Sequence, residues 1–259
     1  MKRVLLPALL LVALFGVWEL YVDLGGVDPD ILPPPHAVAS SLYNDRGLLW
    51  SNFLVTAREV LLGLLVTAVL GLALAVALHF SPTLRRAFYP LLVASQAIPF
   101  PVLAPILLVW LGFGILPKIM VVALVSFFSI VVATLAGFAT VDPQLLKLMR
   151  TFDASRMRIF RHVELPAALP GLFTGAKIAV AVSVIGAVFA EYNGSNSGLG
   201  YLILISIPQL LSARAVAATV VLALFAIALF GLLSVAERRA LPWAYEPGVP
   251  DGRVGATKR

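Results

Sequence analysis

The sequence contains no cysteine and few charged residues. The absence of cysteine from its 259 residues excludes disulfide bonds, thiolate metal sites and cysteine nucleophiles. Charged residues make up 12% of the chain and hydrophobic residues 61%, whereas a soluble domain carries about 25% and about 50%, respectively. Such a chain cannot cover its apolar side chains with its own polar surface, so we expect it to lie in lipid.

Histidine is rare, and a phosphate-binding loop is missing. His36, His79 and His162 lie in three separate regions, so the sequence predicts no metal site. The run from Gly171 to Lys177 lacks the adjacent Gly-Lys that a phosphate-binding loop requires after four intervening residues. Energy for ATP-driven work would therefore come from a partner protein.

What the sequence does contain is a series of apolar blocks. Crossing a bilayer takes about 20 residues at about 1.5 Å of rise each, and long blocks favour helices over the short alternating strands of a barrel. We therefore predict an all-α, polytopic integral membrane protein with about six transmembrane helices and no soluble domain. Residues 1–259 form a single transmembrane domain in this interpretation. The predicted spans are 4–22, 60–80, 87–111, 118–139, 169–190 and 214–235, with a cytoplasmic loop at 140–168.

The first predicted span also has features of a signal peptide, because a basic start precedes a short apolar run. The residues that follow the run, Trp18-Glu19-Leu20-Tyr21, stand where a cleavage site would have small side chains. We therefore expect an uncleaved first helix.

The distribution of cations predicts the orientation. Fourteen of the 19 lysines and arginines lie on the side of the N-terminus, four lie on the other side and Lys177 lies within a span. Because cytoplasmic loops carry the excess of Lys and Arg, both termini and the 140–168 loop are predicted to be cytoplasmic. This asymmetry explains the net charge of +6, and no nucleic-acid partner is predicted.

The 140–168 loop is predicted to contain two short helices that meet at a tight turn near Asp153. The first begins at Asp142-Pro143, since Asp caps free backbone donors and Pro is tolerated at the first helical position. The second is amphipathic, and we expect Pro166 to close it and Pro170 to open the fifth span. From the residues alone, one interpretation is a basic helix that rests on anionic lipid headgroups.

This loop resembles the cytoplasmic signature of permeases in binding-protein-dependent ABC importers, which is Glu-Ala-Ala, three residues, Gly, nine residues, Ile, one residue and Leu-Pro. With Asp153 in the place of the Gly, nine residues lead to Val163, and Leu165-Pro166 falls at the Leu-Pro position. Lys147 replaces the Glu. Among non-glycine residues, Asp and Asn best tolerate the left-handed conformation that such a Gly often adopts.

Two further segments extend the resemblance over nearly the whole chain. SQAIPFPVLAPILLVWLGFG and AEYNGSNSGLGYLI are similar to segments of the nitrate, sulfonate and taurine type of permease. Within that type, they are nearest to the branch for thiamine-pyrimidine precursors or riboflavin.

The resemblance implies a type I ABC importer permease fold in a bacterial inner membrane, with no cofactor and no catalytic site. It implies a homodimer of permeases, two copies of a separate ATPase, and a solute-binding protein that delivers a small organic solute or oxyanion. It also implies that the second short helix, about 154–161, couples to the ATPase. The coupling residues would be Asp153, Ala154, Ser155, Arg156, Met157, Arg158, Phe160 and Arg161.

Candidates for the translocation path come from the spans. Three prolines interrupt the third span, which is tolerated where a helix lines a cavity, and a plain packing kink is the alternative. Lys177 would line the path and attract an anionic group, extend to the cytoplasmic surface, or hydrogen-bond a neighbouring carbonyl. Glu191 would either form an outer gate or binding-protein contact, or start a solvated loop. The candidate path residues are Gln96, Pro99, Phe100, Lys177 and Glu191.

Two other functional classes are a stand-alone secondary transporter and an intramembrane enzyme. A stand-alone secondary transporter would usually show inverted repeats and acidic residues within the spans. An intramembrane enzyme would need a nucleophile and base, or paired carboxylates, in the spans. The predicted spans show neither set of features.

Overall fold

The computed structural model describes the backbone of residues 2–244, and the side chains of that range except those of residues 2–5, 7, 8, 11 and 100. Within residues 2–244 the regular secondary structure is entirely helical. The first six helices are α1 (Lys2–Asp23), α2 (Pro35–Asn44), α3 (Arg46–Phe80), α4 (Pro82–Ser95), α5 (Phe100–Leu111) and α6 (Ile115–Phe138). They are followed by α7 (Pro143–Thr151), α8 (Arg156–Ile159), α9 (Leu165–Tyr192), α10 (Leu199–Ser206) and α11 (Ser212–Ala240). A π-helical turn, Phe160–Glu164, joins α8 to α9, and short 3₁₀ turns occupy Ile207–Gln209 and Pro242–Ala244.

Four helices of the described range are long and apolar enough to cross a membrane. They are α3, α6, α11 and the continuous helix from Arg156 to Tyr192 that contains α8 and α9. The predicted spans 60–80, 118–139, 169–190 and 214–235 overlap these four, and 4–22 lies in α1. α3 begins much earlier than residue 60, because its polar first half is satisfied by partners inside the protein.

The predicted span 87–111 is two helices. α4 ends at Ser95 and α5 begins at Phe100, so residues 96–99 interrupt the helix. Pro99 and Pro101 have no backbone N–H, so the carbonyls of Ser95 and Ala97 lose their i+4 donors. The prolines therefore break this segment completely, which is more than the kink considered from the sequence.

α6 and α9 pack closely through small residues. A Cβ added at Gly171 would lie 2.5 Å from the Ala133 carbonyl oxygen, and one at Gly175 would lie 2.6 Å from the Ser129 carbonyl oxygen. The Gly171-x-x-x-Gly175 spacing places both glycines on one helix face, as in other membrane helix pairs. α9 thus lies against the backbone of α6.

A bidentate ion pair joins the start of α3 to α11. Arg214 Nη2 lies 2.9 Å from Asp45 Oδ1, and Arg214 Nε lies 3.1 Å from Asp45 Oδ2. The hydrogen bonds from Arg214 lower the pKa of the Asp45 carboxyl below its usual value. The pair therefore ties the α2–α3 junction to the N-terminal end of α11.

We expect Gly175→Ala to lower the temperature of thermal unfolding in detergent. Its new methyl group would overlap α6 backbone atoms, and overpacking of this kind costs about 1–3 kcal/mol. Gly231→Ala in α11 is the matched control, because nothing lies within 4 Å of its added Cβ. The control should keep or raise the unfolding temperature, since Ala favours helices over Gly. An unchanged unfolding temperature for Gly175→Ala would contradict the close packing of α6 and α9.

We expect Asp45→Asn to lower the unfolding temperature at pH 7 and to have no effect in strong acid. The unfolded-state pKa of Asp is about 3.9, and the folded-state pKa of Asp45 is lower. The ion pair therefore contributes fully above the unfolded-state value, and its contribution is lost as pH falls through the folded-state pKa. Thermal unfolding of wild type and Asp45→Asn across pH measures this, with exposed Asp30→Asn as the control. A difference that persists below about pH 2 would contradict the assignment.

Candidate functional site

The 140–168 loop between α6 and α9 has the predicted helix–turn–helix form. The Asp142 carboxylate accepts a hydrogen bond from the Gln144 N–H at 2.8 Å, so the predicted helix cap is confirmed. At the turn, Asp153 has a φ of 51°, which confirms the left-handed conformation expected where the signature has Gly. Ser155 then caps α8, because its hydroxyl accepts from the Arg158 N–H at 3.4 Å.

The second element of the loop is shorter than expected and is not separate from the fifth span. α8 covers only Arg156–Ile159, and the helix then continues through both Pro166 and Pro170, which were expected to end and restart it. The π-helical turn explains the continuity. The Leu165 N–H bonds to the Phe160 carbonyl five residues back, so the hydrogen-bond register has shifted before the first proline.

One face of the predicted coupling helix, residues 154–161, is buried. Phe160 is only 8% exposed, and its ring packs 4.8 Å from Phe80, 5.9 Å from Phe138 and 6.1 Å from His79. Phe160, one of the predicted coupling residues, is therefore covered by side chains of this chain in the structure. The aromatic side chains that bury it come from α3 and α6, which the local sequence pattern does not indicate.

Arg156 also binds within the chain. Its Nη2 donates to the Phe80 carbonyl at 2.9 Å, and its guanidinium lies 4.8 Å from the centre of the Phe80 ring. Beside it, His79 Nε2 lies 2.9 Å from the Glu164 carboxylate. These contacts fasten the start of α8 to the end of α3.

The opposite face of the loop is exposed and partly apolar. Phe152 is 74% exposed and Met157 is 52% exposed, and Leu145 and Leu148 of α7 are also exposed. Sequence reasoning placed Met157 in the site but missed Phe152 and both leucines. A sequence signal for these residues was present. The first short helix of the 140–168 loop carries apolar side chains, although it is too short to span a membrane. The remaining predicted residues Asp153, Ser155, Arg158 and Arg161 are exposed, and Ala154 is half-buried.

A cavity of about 330 Å³ lies beside the break between α4 and α5. Gln96 lines this cavity. Pro99 is not among the lining residues and is exposed. The side chain of Phe100 lies outside the described part of the chain. The Ser95 hydroxyl donates to the Leu92 carbonyl at 2.7 Å. The lining residues are Phe88, Leu91, Leu92, Ser95, Gln96, Ile98, Leu103, Leu124, Phe127 and Phe128.

Lys177 forms an ion pair that was not predicted from the sequence. Its Nζ contacts the Glu237 carboxylate of α11 and lies 5.7 Å from the centre of the Phe230 ring. The pairing joins α9 to α11, and Lys177 is not among the residues that line the cavity beside α4 and α5. The role of Lys177 in the translocation path stays a prediction.

Glu191 is buried, with 0% exposure, so it neither starts a solvated loop nor lies at an open gate in this structure. Its Oε2 accepts from the Gly200 N–H at 2.6 Å and from the Tyr201 N–H at 3.2 Å, while Oε1 accepts from the Thr56 hydroxyl at 2.6 Å. The carboxylate therefore satisfies backbone donors at the start of α10, where a helix leaves its first N–H groups unpaired.

Residues of α3 and α6 complete this network. Asn52 Oδ1 accepts from the Gly198 N–H at 2.7 Å, and Thr56 Oγ1 accepts from the Leu199 N–H at 2.8 Å. Lys118 donates to Glu59 at 2.7 Å and to the Ser195 hydroxyl at 2.7 Å. We call these side chains the α10 cap network: Asn52, Thr56, Glu59, Lys118, Glu191 and Ser195.

Sequence reasoning missed the α10 cap network. Lys118 was counted among the four cations on the side opposite the N-terminus, Glu59 was not considered, and the spans were expected to hold no paired carboxylates. The residues of α3 recur at the i, i+4 and i+7 positions, so they lie on one helix face. That spacing was the available signal, although it does not say which element the face meets.

His36 lies beside two acidic residues of α1. Its ring nitrogen and its backbone N–H both contact the Glu19 carboxylate, and the ligand atoms of Glu19, Asp23 and His36 lie within 4.8 Å of one another. The sequence did not predict this grouping, because the three residues are separated by the first loop. The contacts tie α1 to the start of α2.

Comparison with known proteins identifies the family of this chain. The family model described as "Binding-protein-dependent transport system inner membrane component" matches residues 67–241. The chain is 40% identical over 202 residues to a probable ABC transporter permease protein of Haemophilus influenzae, covering 78% of this chain and 82% of that protein. It is 34% identical over 238 residues to the formylaminopyrimidine transport permease protein ThiX of Halalkalibacterium halodurans, covering 92% and 95%.

Solved structures share the fold. An inward-facing crystal form of the methionine ABC transporter MetNI aligns with a TM-score of 0.62 at 21% identity. The alignment covers 78% of this chain and 99% of that chain. The predicted type I importer fold class is thus confirmed.

We expect Glu191→Ala to destabilise the protein more than Glu191→Gln does. Alanine removes the acceptor of the Gly200 and Tyr201 N–H groups, and each buried donor left unpaired costs about 1–3 kcal/mol, whereas glutamine keeps one acceptor oxygen. Thermal unfolding in detergent measures the order wild type, Glu191→Gln, Glu191→Ala. If the alanine variant unfolded at the wild-type temperature, the capping role of Glu191 would be wrong.

Proposed function

Because the chain belongs to the family of binding-protein-dependent transport system inner membrane components, we propose that two copies of it pair in the inner membrane between two ATPase subunits and one solute-binding protein. Family membership makes the chain the permease subunit of an ABC importer. The resemblance inferred from the sequence is confirmed at this level, and ATP hydrolysis belongs to a separate subunit. The identification as a permease subunit rests on the family match over residues 67–241, since this range includes both the inner loop and the broken helix.

The exposed apolar face of the inner loop is the proposed ATPase contact. Phe152, Met157 and Leu148 are exposed at the tip of the loop, where water rather than lipid is expected if the loop is cytoplasmic. Contiguous apolar side chains in water mark a binding surface. Arg158 and Arg161 flank this face, so an acidic rim on the partner would complement it.

The connections of the loop support a role as a lever. α8 continues into α9 as one helix from Arg156 to Tyr192, and Arg156 and Glu164 are bonded to the end of α3. A displacement of the loop tip would therefore move α9 and α3 together with it. Rigid-body movements of this kind are one of the standard ways in which domains switch between two states.

The break at residues 96–99 supports both the homodimer and the position of the path. Non-helical backbone is tolerated at membrane depth only where protein covers it or where it lines a water-filled cavity. Gln96 and Pro99 are exposed in the single chain. This face therefore meets the second permease copy or the path rather than lipid, and residues 96–100 line the route of the solute.

The solute is a small organic molecule or an oxyanion, delivered from outside by the binding protein. The excess of cations on the N-terminal side supports an orientation with both termini and the 140–168 loop in the cytoplasm. The relative ThiX is named for the transport of formylaminopyrimidine, which favours an organic solute.

Phe152→Asp and Met157→Asp should each weaken association with the ATPase about tenfold or more, the size expected for the loss of a central apolar contact. Co-purification of the ATPase and solute-dependent ATP hydrolysis measure the effect. Leu24→Asp, at an exposed apolar position of the outer loop, is the matched control and should bind normally.

Phe160→Asp distinguishes an effect on ATPase docking from an effect on folding of the permease. It places a charge in the buried aromatic cluster. It should lower the unfolding temperature of the permease alone, whereas the Phe152 and Met157 variants should not. Wild-type ATPase binding by both exposed-face variants would refute the proposed contact.

A further inference from the structure

A polar cavity of about 490 Å³ lies between the 140–168 loop and the end of α3, and we call it the loop cavity. Its volume is within the range of about 300–1,000 Å³ that small-molecule sites occupy. Its polar lining comes from four elements: His79 of α3, Arg150 of α7, Arg156 of α8 and Glu164 of the π-helical turn. A ligand in the loop cavity would therefore contact α3 and both short helices of the loop.

The charged side chains of the lining leave an excess of positive charge. Glu164 is the single acidic residue among the described residues that line the cavity, and His79 Nε2 lies 2.9 Å from its carboxylate. Within residues 2–244, neither Arg150 nor Arg156 forms an ion pair with a carboxylate. Two like charges that face one cavity repel each other, and an anion between them replaces this repulsion with attraction.

Both arginines have N–H donors available for such an anion. Arg156 is held in place, because its Nη2 donates to the Phe80 carbonyl at 2.9 Å and its guanidinium lies 4.8 Å from the centre of the Phe80 ring. The guanidinium of Arg150 is exposed and has no hydrogen-bond acceptor or ion-pair partner in the described part of the chain. The planar fork of arginine matches the oxygens of a phosphate group. The loop cavity thus combines one fixed arginine with one whose donors are free.

The remainder of the lining is apolar or small and consists of Leu146, Ala154 and Ile159. An apolar wall beside the arginines suits a phosphate ester better than a bare inorganic anion, because the organic group of the ester gains from leaving water. Arg85 and Arg86 at the start of α4 carry charge of the same sign, but they line a separate pocket with Tyr89 and Pro90.

We propose that the loop cavity binds a phosphate ester, which is either a soluble compound or the headgroup of an anionic lipid. The bound phosphate would join α7, through Arg150, to α8 and the end of α3, through Arg156. It would therefore fix the angle between the two short helices of the loop. The inference does not rest on the proposed ATPase contact, because Phe152 and Met157 are not among the residues that line the cavity.

The cysteine-free sequence allows the loop cavity to be probed with one introduced thiol in the full chain. Ala154→Cys places this thiol in the lining, and Thr151→Cys, at an exposed position of the same loop outside the lining, is the matched control. Each variant is labelled with the uncharged reagent N-ethylmaleimide at fixed pH. In neutral detergent, glycerol 3-phosphate is compared with sodium chloride at equal ionic strength. In vesicles, phosphatidylcholine alone is compared with phosphatidylcholine that contains phosphatidylglycerol.

We expect a ligand at about ten times its Kd to slow the labelling of Ala154→Cys about tenfold, as mass action requires. Slowing by glycerol 3-phosphate would identify a soluble ester, and slowing by phosphatidylglycerol alone would identify a lipid headgroup. Arg150→Gln should weaken the affinity about tenfold or more, because a charged hydrogen bond is lost. Arg239→Gln, the same change at an exposed arginine of α11, should retain the protection.

Absence of slowing in both arms, equal slowing of Thr151→Cys, or undiminished protection in Arg150→Gln would overturn the proposal. Thermal unfolding of the cysteine-free chain is a second measurement that needs no introduced thiol. At least one of the two ligands should raise the unfolding temperature of wild type and Arg239→Gln more than that of Arg150→Gln, and an equal rise or no rise in all three would also overturn the proposal. Because these experiments use the permease alone, their failure would leave the proposed function standing.

Discussion

Lipid offers no hydrogen-bond partner, and this constraint governs the arrangement of the whole chain. Every polar group at membrane depth has to be satisfied inside the protein, which is why the apolar blocks form helices with internal backbone bonds. Where prolines prevent such bonds, at residues 96–99, the backbone needs cover from protein or water. The position of the break therefore indicates which face of the chain is turned away from lipid.

The same constraint explains how the charged residues of the helices are used. Glu191, Thr56 and Asn52 satisfy the first donors of α10, a helix too short to span and therefore dependent on partners at its start. Lys118 and Lys177 each pair with a glutamate from another helix. These charges join helices to one another.

The loop between α6 and α9 shows a comparable division between its two faces. Phe160 and Arg156 hold the loop to the end of α3, while Phe152 and Met157 are exposed. The helix continues without interruption from α8 into α9. These contacts are the basis of the proposed role of the loop as a lever.

Hydropathy and charge along the chain were enough to predict a helical membrane protein and a cationic loop at 140–168, while the resemblance of the loop signature and two further segments indicated the family. Local rules also predicted the Asp142 cap and the left-handed Asp153, because each depends on neighbours within a few residues. Only the tertiary structure decided which partner each polar group has. Lys177 and Glu237 are 60 residues apart, Thr56 and Glu191 are 135 apart, and Phe160 is buried by rings from other helices. Such pairings depend on how helices pack, and periodicity within one segment shows which face is polar but not what that face meets.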